Sequence, residues 1–264
     1  MPSETTPLEA TRQAEHDARI VAQFTRWAKP FGDLPLHSQA DAMARLLAAA
    51  AVTATARVLD VACGPGIVAC TLAAQAAHVT GIDLTPAMLD QARARQREAG
   101  LANLDWQLGD ATSLPFADES FDTVVTRYSF HHIREPARAL AEMRRVCRKG
   151  GRILVVDATP SAATQAAYDR METLRDPSHA SALTQQQLRD IGRQAGLSEV
   201  VVDFHCIEAA VATIADAETL DALTAMLDAD IASGEDRIGV AARRGEHGLS
   251  FLFPVSVVAW DRLD

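Results

Sequence analysis

The sequence predicts an α/β protein built on a parallel sheet with helices on both faces. From Arg57 to Val202 short β-branched runs alternate with longer helical stretches, the mark of repeated strand-helix-strand units. A greasy run, Val58 to Val61, ends in the glycine turn Cys63-Gly64-Pro65-Gly66 and passes straight into a helical stretch. No long Pro, Gly or Ser linker divides the 264 residues, so a single domain spanning 1–264 is expected.

Taken in order, Arg57 to Val61 is the first strand, Ile67 to Ala77 a helix and His78 to Asp83 the second strand. Pro86 to Ala99 is a helix, with Pro86 suited to a first turn and Gly100 to the stop. Leu104 to Leu108 is the third strand and Phe121 to Arg127 the fourth, whose Val124 and Val125 need burial on both faces. Leu140, Met143 and Val146 recur at helical spacing in Pro136 to Arg148, which Lys149-Gly150-Gly151 is expected to end. Arg152 to Asp157 is the fifth strand, Thr184 to Ala195 a helix, Glu199 to Phe204 the sixth strand, and Leu249 to Trp260 the last.

Two regions stand outside this alternation. Residues 8–50 form an N-terminal helical cap before the core of 51–206, and 207–247 form a helical insert or lid before the final strand in 248–264. Both are expected over the carboxyl ends of the strands, where ligands bind in open α/β sheets.

The formal net charge of -10 argues against a broad polyanion-binding face, so no nucleic-acid partner is expected. Cys63, Cys70, Cys147 and Cys206 lack the paired spacing of a zinc site and read as reduced thiols. Met1 to Arg19 has no apolar run of a signal peptide, and Leu46 to Ala56 is stopped by Arg57 and Asp60 too soon to span a bilayer. The expectation is a cytoplasmic protein without membrane partners, of undetermined oligomeric state.

Gly64 and Gly66 lack a β-carbon, so a ligand can approach the backbone, and the free N–H groups of the following helix favour a negative group. Gly64-x-Gly66-x-x-Ala69 also satisfies the dinucleotide fingerprint, which leaves open an NAD(P)-dependent oxidoreductase, or a tight turn without a ligand. Three acids shift the balance, each ending a successive strand: Asp60, Asp83, and Asp110 within Gly109-Asp110-Ala111. Asp60 can hold an ammonium group, Asp83 two ribose hydroxyls, and Asp110 an adenine amino group.

Val58 to Ala69, Gly81 to Leu89, Gly109-Asp110-Ala111 with Leu114-Pro115-Phe116, and Phe121-Asp122 resemble the class I S-adenosylmethionine-dependent methyltransferases. The closest flavour is the ubiquinone/menaquinone-biosynthesis-like branch, and the resemblance covers roughly residues 20–205. It implies a Rossmann-like seven-stranded sheet, mostly parallel, with an antiparallel last strand. It also implies S-adenosyl-L-methionine as cofactor and a small-molecule acceptor methylated on O, C or N. The loop residues Asp60, Ala62, Gly64 and Gly66 would hold the methionine part, Asp83 the ribose, and Gly109, Asp110 and Ala111 the adenine edge, with Leu84 and Met88 packed on the adenosine. A member that binds the cofactor without methylating is the remaining alternative.

Methyl transfer from a sulfonium is an in-line displacement, in which good alignment supplies roughly 7–11 kcal/mol. A base is needed only where the acceptor must lose a proton, a task that suits histidine. His131 and His132 follow the fourth strand, and adjacent histidines there usually face different ways. His179 ends Glu172-Thr173-Leu174-Arg175-Asp176-Pro177-Ser178-His179, where it is either an acceptor contact or part of an ordinary capped turn. Together with Arg127 to Ile133, and with Phe24 to Ala28 through His37-Ser38, this string resembles one bacterial subgroup of small-molecule methyltransferases. Trp27, Phe31 and Tyr128 stand out because aromatics are scarce, and each is either core packing or a ring face that stabilises a sulfonium; Arg127 either lies along the cofactor or pairs with a neighbouring acid. No metal is expected, since no compact carboxylate set remains.

Overall fold

The computed structural model describes residues 7–33, 39–246 and 248–264. Helices α1 (Pro7–Asp33) and α2 (Ala40–Ala50) precede the sheet. The core then runs β1 (Arg57–Val61), α3 (Ile67–Ala73), β2 (His78–Asp83), α4 (Pro86–Glu98), β3 (Leu104–Leu108), β4 (Phe121–Arg127), α5 (Pro136–Val146) and β5 (Cys147–Ala158). It closes with α6 (Gln165–Arg175), α7 (Gln185–Gln194), β6 (Ser198–Ala210), α8 (Val211–Ile214), α9 (Leu220–Ser233), β7 (Arg243–Gly245) and β8 (Gly248–Asp261).

Seven strands lie in the order β3-β2-β1-β4-β5-β8-β6, with short β7 paired to β8. The first five are mutually parallel, while β8 runs antiparallel to β5, β6 and β7. Strand order reverses between β1 and β4, and it is at such a switch point that diverging loops leave a crevice.

The period-2 alternation of the strands builds two cores. Val58, Val79, Val125, Leu154 and Val156 face the α2 and α3 side, where Leu46, Ala49, Ala50, Ala69 and Leu72 cover them. Leu59, Val61, Ile82, Val124, Ile153 and Val155 face the other way, against Leu140, Met143 and Val146 of α5 and Leu188 of α7. A third cluster joins Tyr168 and Met171 of α6 to Leu223 and Leu227 of α9 and to Phe251 of β8. The alanines of α2 and α3 let these helices sit close to the sheet, and dense packing of this kind is what burial rewards.

Four boundaries depart most from the sequence reading. Helix α3 stops at Ala73 rather than Ala77. Helix α5 stops at Val146 rather than Arg148, because Cys147 is already extended (φ -75°, ψ 132°) and pairs with Phe121. Gly150 (φ 70°) and Gly151 therefore sit inside β5 instead of stopping a helix; the Gly150 N–H donates to the Arg262 carbonyl at 2.6 Å. Strand β6 runs six residues past Phe204, paired from His205 to Ala210 with β8, so the first four residues of the segment 207–247 expected as a helical insert are strand, as are Arg243–Gly245 of β7 near its end.

Gly66 has a structural task. It is left-handed (φ 76°), and a β-carbon there would lie 2.7 Å from the Trp106 ring and 2.9 Å from Ala92 Cβ. Gly66→Ala is therefore expected to lower unfolding stability by about 2–4 kcal/mol, from left-handed strain plus overpacking. Chemical denaturation would check this; a loss below about 0.5 kcal/mol would contradict it.

Candidate active site

A cleft with about 1010 Å³ of space, its open mouth included, lies at the carboxyl ends of β1 to β4 beneath α1. Asp60, Asp83 and Asp110 all line it, as do Ala62, Gly64, Leu84, Met88, Gly109, Ala111 and Arg127. The three acids reach the cleft because parallel strands bring their carboxyl ends to one rim: Asp60 is next to last in β1, Asp83 is last in β2 and Asp110 lies two residues past β3. Gly66 is the expected binding residue that does not line it; the Trp106 and Ala92 side chains occupy the space beside its α-carbon. The side chain of Phe31 lies outside the described residues.

Gly64 is the opposite case. It is left-handed (φ 52°), and a β-carbon there would meet nothing within 4 Å, so its backbone faces open space in the cleft. Its N–H donates to Asp83 Oδ2 at 2.8 Å, and the Thr85 N–H donates to Asp83 Oδ1 at 2.8 Å. Asp83 thus ties the glycine loop to the head of α4.

Asp60 is buried, and its Oδ2 has no hydrogen-bond partner among the described residues. Burial pushes this carboxyl up to about 7 against the lowering influence of Arg127. Asp110 satisfies its own turn, accepting from the Thr112 N–H at 2.8 Å and the Thr112 hydroxyl at 2.7 Å. Cys63 also lines the cleft, but burial raises its thiol well above the usual range, so it is no nucleophile at neutral pH.

A helical cap over the cleft was expected, but not which of its side chains face the cleft. Gln13, Asp17, Ile20 and Phe24 of α1 all line it, and their spacing of three and four places them on one helical face. That spacing was the available signal.

A second cavity of about 810 Å³ adjoins the first, sharing Phe24, Tyr128 and His132 with it. Tyr128 stands between them in a left-handed conformation (φ 56°), held by its N–H to the Val156 carbonyl at 2.8 Å. A bulky residue costs roughly 1–3 kcal/mol in that region, and such strain concentrates at functional sites. Trp27 lines this second cavity.

The three histidines part company. His131 lines the second cavity with its Nδ1 2.5 Å from Asp157 Oδ1. Asp157, at the end of β5, accepts from the Ser129, Phe130 and Ala158 N–H groups as well. Burial works to lower the His131 pKa, but the charge and hydrogen bond of Asp157 outweigh it and the net direction is up. His132 borders both cavities, its Nδ1 3.1 Å from the Ser178 carbonyl. Burial first, then neighbouring His131, drives its pKa down to about 3, so it is neutral.

His179 lines neither cavity. It faces a separate surface hollow with Arg12 and His16, and its Nε2 lies 2.8 Å from Asp169 Oδ1. Of the two readings of His179, the capped turn is the one seen: Asp176 Oδ1 accepts from the Ser178 N–H and hydroxyl, and the His179 side chain is buried beside His131, with ring centres 5.7 Å apart, rather than in either cavity. Among the described residues no group of three His, Cys, Asp or Glu side chains is placed to hold a metal, and no helix is long and apolar enough to cross a membrane.

The neutral state of His132 carries a pH signature. Its pKa is depressed from 6.5 in the unfolded chain to about 3 in the fold, so its contribution is intact above pH 6.5 and is lost as pH falls toward 3. Relative to the parent, His132→Gln should therefore gain thermal stability progressively as pH drops below about 6.5. A melting-temperature difference that stays constant from pH 7 to pH 4 would contradict this.

Comparison with known proteins places these features among relatives. A family model described as a methyltransferase domain matches residues 59–155. The chain is 30% identical over 181 residues to the uncharacterized methyltransferase YcgJ of Bacillus subtilis, covering 67% of this chain and 72% of that protein. It is 41% identical over 118 residues to the ubiquinone/menaquinone biosynthesis C-methyltransferase UbiE of Roseobacter denitrificans, but covers only 47% of that protein and 43% of this chain. The crystal structure of Bacillus subtilis YcgJ superposes with a TM-score of 0.76 at 24% identity, over 86% of this chain and 100% of that one.

Proposed function

Because this chain belongs to the class I S-adenosylmethionine-dependent methyltransferase family, we propose that its cleft binds S-adenosylmethionine and that the adjoining cavity holds a small-molecule methyl acceptor. The chain is accordingly an enzyme of methyl transfer, and the oxidoreductase reading of the glycine turn falls away.

The observation that carries the proposal is the gathering of Asp60, Asp83 and Asp110 on one cleft beside the open backbone of Gly64. The residues fit the cofactor. The unsatisfied Oδ2 of Asp60 awaits a cationic donor, which the ammonium of the methionine part provides. Asp83 suits the ribose hydroxyls, Leu84 and Met88 the adenosine face, and Ala111 with Asp110 the adenine edge. When bound, the sulfonium supplies the methyl group to be displaced.

The protein's contribution is alignment and exclusion of water. Helix α1 roofs the cleft with Ile20 and Phe24, while Tyr128 and His132 form the shared wall across which the methyl group must pass. Holding both reactants in line supplies roughly 7–11 kcal/mol. The identity of the acceptor does not carry over from UbiE, since the aligned part leaves out more than half of that protein.

Calorimetric titration with S-adenosylhomocysteine tests the proposal. An Asp60 carboxyl raised to about 7 is part-protonated at neutral pH, and an incoming ammonium favours its ionised form. Binding should therefore release a fraction of a proton near pH 7, seen as a dependence of the measured heat on buffer ionisation enthalpy. Absence of binding by a folded sample would overturn the proposal, and buffer-independent heat would overturn the role of Asp60.

A further inference from the structure

The second cavity says more about what it admits. Its wall is largely apolar and aromatic, with Phe24, Trp27, Tyr128 and Phe253, which suits a flat ring system. Its charges are already matched within the protein. Glu172 takes both oxygens to Arg175, at 3.0 and 2.7 Å, and the Arg175 guanidinium also lies 5.9 Å from the Phe253 ring centre. Asp176 is engaged by the Ser178 N–H and hydroxyl, and Asp157 by His131 and three backbone N–H groups. Among the described residues that line it, no carboxylate is left to greet an ammonium, and no guanidinium to greet a carboxylate or phosphate.

Two polar groups on the wall have capacity to spare. With Nδ1 committed to Asp157, Nε2 is the nitrogen of His131 left for the cavity that the ring lines. Fully buried Tyr168 brings a hydroxyl with no hydrogen-bond partner among the described residues, an orphan that a ligand's polar atom would satisfy.

We propose that this cavity seats an uncharged, ring-sized compound bearing a hydroxyl group, and that His131 Nε2 takes the hydroxyl proton as the oxygen accepts the methyl group. The inference rests on the methyltransferase reading and names its acceptor class. The O–H bond breaks with its proton passing to His131, whose imidazolium is held by Asp157. The oxygen lone pair forms the bond to the methyl carbon, the carbon–sulfur bond breaks, and its electron pair returns to sulfur, leaving a neutral thioether. The imidazolium then yields its proton to solvent.

The test is calorimetry on the full chain saturated with S-adenosylhomocysteine, with 2-naphthol, its methyl ether 2-methoxynaphthalene, 2-naphthoate and 2-naphthylmethylammonium as probes. 2-Naphthol should bind about tenfold more tightly than the ether, and more tightly than either charged analogue. His131→Gln, which retains an N–H toward Asp157, should bring naphthol and ether to within about twofold. Equal binding of naphthol and ether by the parent chain, a comparison that needs no variant, would overturn the inference, as would tighter binding of a charged analogue. With S-adenosylmethionine, a product methylated on carbon would overturn the oxygen assignment, and a methyl ether would support it. If S-adenosylhomocysteine binds while the probes are not discriminated, the acceptor class fails and the cofactor proposal stands; if it does not bind, the cofactor proposal itself fails.

Discussion

Replacing Asp83 with alanine is expected to weaken S-adenosylhomocysteine binding by about a hundredfold or more. A carboxylate hydrogen bond contributes about 1.5–3 kcal/mol, and two ribose hydroxyls on one carboxylate amount to about 3 kcal/mol or above, which is a factor of at least about 100 in Kd. The loss is compounded because Asp83 also holds the Gly64 and Thr85 N–H groups, so alanine frees the loop that faces the methionine part. Asp83→Asn retains one acceptor oxygen and the side-chain shape, and about a tenfold loss is expected. Calorimetry on samples shown folded by thermal melting checks both, and a change below about threefold in the alanine variant would contradict the assignment.

The second large effect falls on stability. Asp157 is buried and receives the Ser129, Phe130 and Ala158 N–H groups together with His131. Asp157→Ala leaves these donors unsatisfied in the interior, and breaking a buried charged pair from one side costs about 3–5 kcal/mol. Burial alone would raise the Asp157 carboxyl, but His131 and the backbone N–H groups outweigh it and hold it below the usual carboxylate range. This contribution is present above the unfolded-state pKa of 3.8 and is lost as pH falls through the folded value. Denaturant unfolding at pH 7 should show the full loss, and at pH 3 a smaller one. A variant within about 1 kcal/mol of the parent at pH 7 would contradict the network drawn around His131.

Much of this architecture was legible because local chemistry and burial agreed. The strands from Arg57 to Arg127 were read with their ends in place; in β1, β2 and β4 β-branched residues buried on both faces leave few alternatives. Thr184 caps α7 with Gln187 in a reciprocal box, a signal written within four residues. That Asp60, Asp83 and Asp110 share one rim was legible for a similar reason: each stands at or just past the carboxyl end of a strand whose own pattern was clear.

What escaped the reading depends on partners distant in the chain. Residues 205–210 are strand only because β8 pairs with them; their composition, with His205, Cys206 and Glu208 among small residues, carries no strong preference. Cys147 leaves α5 early to pair with Phe121, and Gly66 is packed by Trp106, forty positions away. The coupling of His131 to Asp157 joins two strand ends that only the sheet order β4-β5 makes neighbours. The turn at Asp176 was legible as a capped turn, but which group His179 would meet was not, since its partner Asp169 stands on α6, ten residues earlier.

The central claim is that one adenosyl ligand spans the ends of β1, β2 and β3. A crystal structure of the complex with S-adenosylhomocysteine tests it most directly. The account predicts the ammonium on Asp60, the ribose hydroxyls on Asp83, the adenine beside Asp110 and Ala111, and the sulfur directed at the wall formed by Tyr128 and His132. A ligand found elsewhere, or one leaving Asp83 without a ribose contact, would contradict it.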